Sequence, residues 1–295
     1  MRYAAYEPLV APARPSAGLG RLAGGIALTV ALFLVLSVAW SNLLPVIFGP
    51  EGWARIRPGV AAATTPVGVL VNLFTFGLLI VALALSLRAM HGRGILSLVG
   101  PLPLAVWQFG RAGLALVVLY GLIALLPMPE AMEPARNLAL GTWVALLPLA
   151  LIGLFLQVFA EEVAFRGYLQ SQLAARFAAP VVWLGGPALV FGLLHFDNAI
   201  YGASGWLVML WATAFGLAAA DLTARFGTLG PATALHLVNN FSAILVAAPK
   251  GQFDGLALFV YPFSMGDADA VTALLPLDML MLLCAWLAIR LALRG

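Results

Sequence analysis

Long apolar runs broken by short polar connections dominate the chain. Runs long enough to cross a bilayer recur at 22–48, 67–89, 112–126, 138–160, 181–196, 205–224, 229–248 and 270–293. They predict an all-α, polytopic membrane bundle of about eight transmembrane helices. No internal repeat and no low-complexity linker divides the sequence, so 1–295 reads as one membrane domain. The first run is too long for the core of a signal peptide, and the 21 residues before it lack a small-residue cleavage site. They are expected to form a cytoplasmic N-terminal tail. The Pro/Gly-rich stretch 92–103 predicts an amphipathic or re-entrant connection, and 249–268 a long external loop.

Composition narrows the class. With 63% apolar residues, only 15 basic and 12 acidic side chains in 295, and a mean hydropathy of +1.03, no water-soluble domain of ordinary size fits. The lone Cys284 excludes a disulfide framework, a Cys-rich zinc site and an iron–sulfur cluster within the chain. The net charge of +3 comes without a basic cluster, which argues against nucleic acid as a partner. With the N-terminus inside, Arg2, Arg14, Arg21, Arg88, Arg93, Arg111, Arg166, Arg176, Arg225, Arg290 and Arg294 fall at cytoplasmic ends. Only Arg55, Arg57, Arg136 and Lys250 fall outside, and the acids Glu51, Glu130, Glu133, Asp254, Asp267 and Asp269 join them. This asymmetry predicts two cytoplasmic termini. Arginine in place of lysine, with heavy Ala and Gly usage, suggests a bacterial inner-membrane protein.

Charges at membrane depth cost several kcal/mol at the least, so each one inside an apolar run is a candidate functional group. Glu161 and Glu162 follow the run LFLQVFA, His195 ends PALVFGLL, and His236 and Asn240 lie in TALHLVNNFS. At 100° per residue Glu162 and Arg166 share a helical face in the favourable acid-before-base order, while Glu161 points elsewhere and is left free as a general base. The bland alternative is a glutamate pair at a helix end that runs on into water. Phe191 sits four residues before His195, so its ring is expected to pack under the imidazole. His236 and Asn240 are also four apart and converge on one spot, as an imidazole and an amide serving an oxyanion would; Asn239 is a neighbour that could share the task. Helical rise places Glu161 and His195 about 22 Å, and His236 about 12 Å, from their cytoplasmic boundaries. Asp221 and Arg225, four apart, are expected to pair, and Asp278 to lie near the external end of the last span.

In this order on successive apolar helices, Glu161-Glu162-xxx-Arg166, Phe191-xxx-His195 and His236-xxx-Asn240 resemble the three motifs of the CPBP family of intramembrane glutamic proteases, which includes the type II CAAX prenyl endopeptidases and bacterial Abi-like relatives. The resemblance covers about 138–248, which it marks as the catalytic core helices. It implies that Glu161 and His195 activate a water, that His236 and Asn240 stabilise the oxyanion, and that Glu162 and Arg166 support them. Tyr168 and Asn198 fit the pattern as accessory candidates. The implied substrate is a membrane-associated peptide with a hydrophobic or lipidated end, without a cofactor. Rival readings draw partly on the same residues. A zinc protease would draw on Glu161, His195 and His236, although histidines at 91, 195 and 236 exclude HExxH. Gly202-Ala203-Ser204-Gly205 has the GxSG pattern of rhomboid serine proteases, a proton-coupled transporter could use the glutamate and histidines as a relay, and a non-proteolytic scaffold or immunity protein could retain the motifs unused.

Overall fold

The computed structural model describes residues 3–127 and 133–294 and is almost entirely helical. Arg2 and Glu130 lie outside the described residues. Among the described residues six helices are long and apolar enough to cross a membrane: α1 (Leu19–Phe48), α3 (Pro66–His91), α4 (Leu102–Ile123), the continuous helix Leu140–Arg176, the helix that ends at Phe226, and α11 (Ala268–Ala292). Between them lie α2 (Pro50–Ala62) and two inner helices shorter than a full span. One of these is Val181–Leu194, whose 14 residues rise only about 21 Å. The other comprises Gly230–Asn240 and the π-helical turn Phe241–Val246. Both correspond to apolar runs in the sequence; His195 caps the end of the first and His236 lies within the second.

The helix Leu140–Arg176 is assembled from α5 (Leu140–Glu162), a π-helical segment Val163–Leu169 and α6 (Gln170–Arg176). The next begins with a π-helical turn, Val181–Gly185, and continues as α7 (Gly186–Leu194). Then follow α8 (Asn198–Tyr201), capped by the Asp197 carboxylate, α9 (Gly205–Phe226) and α10 (Gly230–Asn240). A small sheet closes the loop-rich end. Its strands β1 (Ala135–Arg136), β2 (Ala247–Ala248) and β3 (Phe259–Val260) are ordered β1-β3-β2, the first pair antiparallel and the second parallel.

The core that positions the site is built from inward faces of five helices. Ala112 and Leu116 of α4, Phe191 of α7, Phe215 and Leu222 of α9, Leu235 of α10 and Ala285 and Ile289 of α11 are all buried together. Outward-facing leucines such as Leu114, Leu280 and Leu291 remain exposed, as expected of surfaces that meet lipid rather than water.

Three connections differ from the sequence expectation. The third apolar helix begins at Leu102, ten residues before the expected start, because Pro103 occupies its tolerant first turn and Leu104–Phe109 continue its apolar surface. Arg111 therefore lies mid-helix, stacked over Trp107 at 5.2 Å. The stretch 92–103 is a packed connection built on one 3₁₀ turn, Ile95–Leu98, with Leu98 and Val99 buried. It approaches the π-helical segment so closely that a Cβ at Gly167 would stand 2.8 Å from the Leu98 side chain and 2.9 Å from its carbonyl oxygen. Residues 4–16 are helical turns folded onto the bundle, with Tyr6, Leu9 and Ala13 buried and Tyr6 stacked on Trp183 at 5.6 Å. Burial holds the Tyr6 hydroxyl well above its usual pKa, so it stays a donor, and the Arg166 carbonyl accepts from it at 3.4 Å.

Candidate active site

The glutamate pair stands at the junction between α5 and the π-helical segment, in the middle of a continuous helix rather than at a wet end. Glu162 and Arg166 form the expected i,i+4 ion pair, Oε1 to Nη1 at 2.8 Å, with side chains 0% and 1% exposed. Such a pair avoids the cost of an isolated buried charge only because each half neutralises the other. The guanidinium also lies 4.6 Å over the ring of Phe191. That ring in turn sits 4.4 Å from the imidazole of His195, the packing expected from their four-residue spacing.

His195 caps the end of α7. Its Nδ1 lies 2.8 Å from the Phe191 carbonyl oxygen, an acceptor only, so Nδ1 carries the proton and Nε2 of the neutral ring offers a lone pair. His236 is held differently. Its Nδ1 donates to Glu162 Oε1 at 2.8 Å, and its Nε2 stands 3.5 Å from Glu161 Oε2, so this imidazole is clamped between both glutamates. Glu161 is thus free of arginine, as helix geometry requires, but its ionic partner is His236. Among the described residues no hydrogen bond or ion pair joins Glu161 to His195.

Glu161, His195, His236, Asn239 and Asn240 line one small pocket of about 50 Å³, together with Gln157, Phe191, Trp211 and Phe215. Three sequence motifs and the separate depths of their helices therefore meet at one place. The volume is enough for a few water molecules. Glu162 and Arg166 sit behind this lining. Tyr168 and Asn198 do not reach it. The Tyr168 hydroxyl bonds His91 Nε2 at 2.8 Å within the separate core of α1 and α3. Asn198 packs against Gly205, where a Cβ would come within 2.6 Å of its Oδ1. Ser204 of the GxSG pattern is buried away from the pocket. Among the described residues no group of three or more His, Cys, Asp or Glu side chains is placed to hold a metal ion.

Gln157, Trp211 and Phe215 were not singled out from the sequence. Gln157 had a signal, an amide one turn before Glu161 in an otherwise apolar run. Its Oε1 accepts from Asn240 Nδ2 at 3.0 Å, while Asn240 Oδ1 accepts from Asn239 Nδ2 at 3.2 Å. One N–H of Asn240 remains for a ligand. Gln157→Leu is expected to lower kcat about tenfold with little change in thermal stability, since it frees the Asn240 amide to rotate without removing it. Gln157→Glu, which keeps the acceptor, should retain most activity, and equal loss in both variants would refute this positioning role.

Residues 143–242 match the family model for type II CAAX prenyl endopeptidases, Rce1-like. This segment is similar to the Rce1-like family. It is about a third of the chain and contains every pocket-lining residue, from Gln157 to Asn240. Helices α1–α4 and α11 lie outside the match. No curated protein and no solved structure shows significant similarity to the chain. The six long apolar helices found among the described residues, together with the Rce1-like match of residues 143–242, indicate a multi-pass membrane protein.

Proposed function

We propose that the protein is a metal-independent intramembrane endopeptidase acting on a membrane-associated peptide with a hydrophobic or lipidated end, and that both termini face the cytoplasm. The carrying observation is the convergence of Glu161, His195, His236 and Asn240 on one pocket backed by the buried Glu162–Arg166 pair. A water in that pocket gives a proton to the Glu161 carboxylate while His195 Nε2 accepts its second hydrogen and orients it. The water oxygen bonds to the scissile carbonyl carbon, and the C=O electron pair moves onto oxygen. Asn240 N–H and His236 Nε2–H then hold the oxyanion. With that proton on Nε2, the charges of Glu161, Glu162, Arg166 and His236 sum to zero, which suits an enclosed apolar setting. As the C–N bond breaks, the proton on Glu161 passes to the leaving nitrogen.

The test is cleavage of peptides with farnesylated and with plain hydrophobic C-terminal ends by purified protein in nanodiscs after exhaustive chelation. Cleavage is expected to survive. Loss that zinc restores would overturn metal independence, and proton flux in proteoliposomes without any cleavage would favour the transporter reading.

A further inference from the structure

Asp278 is an acid that the site does not use. It is the eleventh residue of α11, about 15 Å along the helix from its start and well inside the apolar span rather than near its external end. Among the described residues it makes no ion pair. At 100° per residue it shares a face with Val271, Leu282, Ala285 and Ile289, all of which pack inward. The lipid-facing stripe, Leu277, Leu280, Leu283, Leu287 and Leu291, lies mostly on the opposite side. Yet Asp278 itself is exposed. An inward-facing residue with an exposed side chain borders a gap, and an intramembrane acid without a cation belongs beside water.

What lies along that gap is polar. The Asp278 carboxylate is within electrostatic reach of Tyr261, in the loop that precedes α11, and of Tyr120 on α4. The Tyr120 hydroxyl donates to Asn239 Oδ1 at 3.5 Å, Asn239 donates to Asn240, and both amides line the catalytic pocket. Hydrogen bonds thus lead from Tyr120 to a pocket that holds a few waters, and Asp278 and Tyr261 lie within electrostatic range of this end of the bundle. Each hydrolytic turnover consumes one of those waters.

We propose that Tyr261, Asp278, Tyr120 and Asn239 line a hydrated cleft between α4 and α11 that delivers water to the pocket. Its role in supply rests on the peptidase reading, but its hydration does not. The experiment measures labelling of Tyr120→Cys, in a Cys284→Ala background, by a water-soluble cationic methanethiosulfonate in nanodiscs. Because a thiol must ionise in water to react, Tyr120→Cys should label about tenfold faster than Val118→Cys, which is more exposed but faces lipid. Adding Asp278→Leu should slow Tyr120→Cys labelling about tenfold and lower kcat of the cysteine-free enzyme, whereas Asp278→Asn should leave labelling fast. Equal rates at 120 and 118, or labelling indifferent to Asp278→Leu, would overturn the cleft. Labelling does not depend on catalysis, so failure of the peptidase reading leaves a distinct signature: fast, Asp278-dependent labelling of a protein that cleaves no peptide.

Discussion

Glu161→Gln is expected to lower kcat for peptide cleavage by about 10²–10⁴-fold while leaving KM and thermal stability close to those of the parent. The substitution keeps size and hydrogen-bonding capacity and removes only the ability to take a proton from water. Glu161 makes no arginine contact, and its Oε2 is buried without a hydrogen bond, 3.5 Å from His236 Nε2. Its loss therefore leaves the ionic framework of Glu162 and Arg166 intact. Peptide kinetics and a melting curve on the same preparation check it. A Glu161→Gln protein that cleaves at the parental rate would remove the general base from the mechanism.

Arg166→Met is expected to act on stability first. Both members of the Glu162–Arg166 pair are buried, and removing the cation leaves a carboxylate in the core with only His236 to offset it. Breaking such a pair from one side costs about 3–5 kcal/mol, far above the cost for an exposed pair. The guanidinium also leaves the face of Phe191, so the seat of His195 loosens. Unfolding free energy measured by steric trapping in bicelles is the readout. The double variant Arg166→Met, Glu162→Gln should recover a large part of the loss, because no uncompensated charge remains and the amide oxygen introduced at position 162 would still accept from His236 Nδ1. A single-variant cost below about 1 kcal/mol would show that the pair is not desolvated.

Much of the site was readable because helices repeat every 3.6 residues. The Glu162–Arg166 pair, the Phe191 ring under His195 and the nearness of His236 to Asn240 are all i,i+4 relations, which require no knowledge of where one helix lies against another. The relations that cross between helices were not readable. That His236 rather than His195 meets Glu161, that Gln157 anchors Asn240, and that Trp211 and Phe215 wall the pocket depend on axial offsets and rotations among α5, α9 and α10. Tyr168 illustrates the converse. It is close in sequence to the glutamates, yet the π-helical turns that follow Glu162 direct it to His91. Residues 4–16 hold too few apolar side chains to register as a span, so their burial against Trp183 emerges only in the assembled bundle.

The apolar runs, the scarcity of charge and the spacing of the three motifs by themselves determined a helical membrane protein and marked Glu161, His195, His236 and Asn240, which the fold brings to one pocket. Hydrophobic length and helical periodicity are local properties, written directly into the order of residues. The tertiary structure decided that two of the apolar runs form short inner helices, that both glutamates clamp one histidine, and that Asp278 lies well inside the last apolar helix. These depend on the packing of helices distant in sequence, where shifts of an ångström or two decide which polar groups meet.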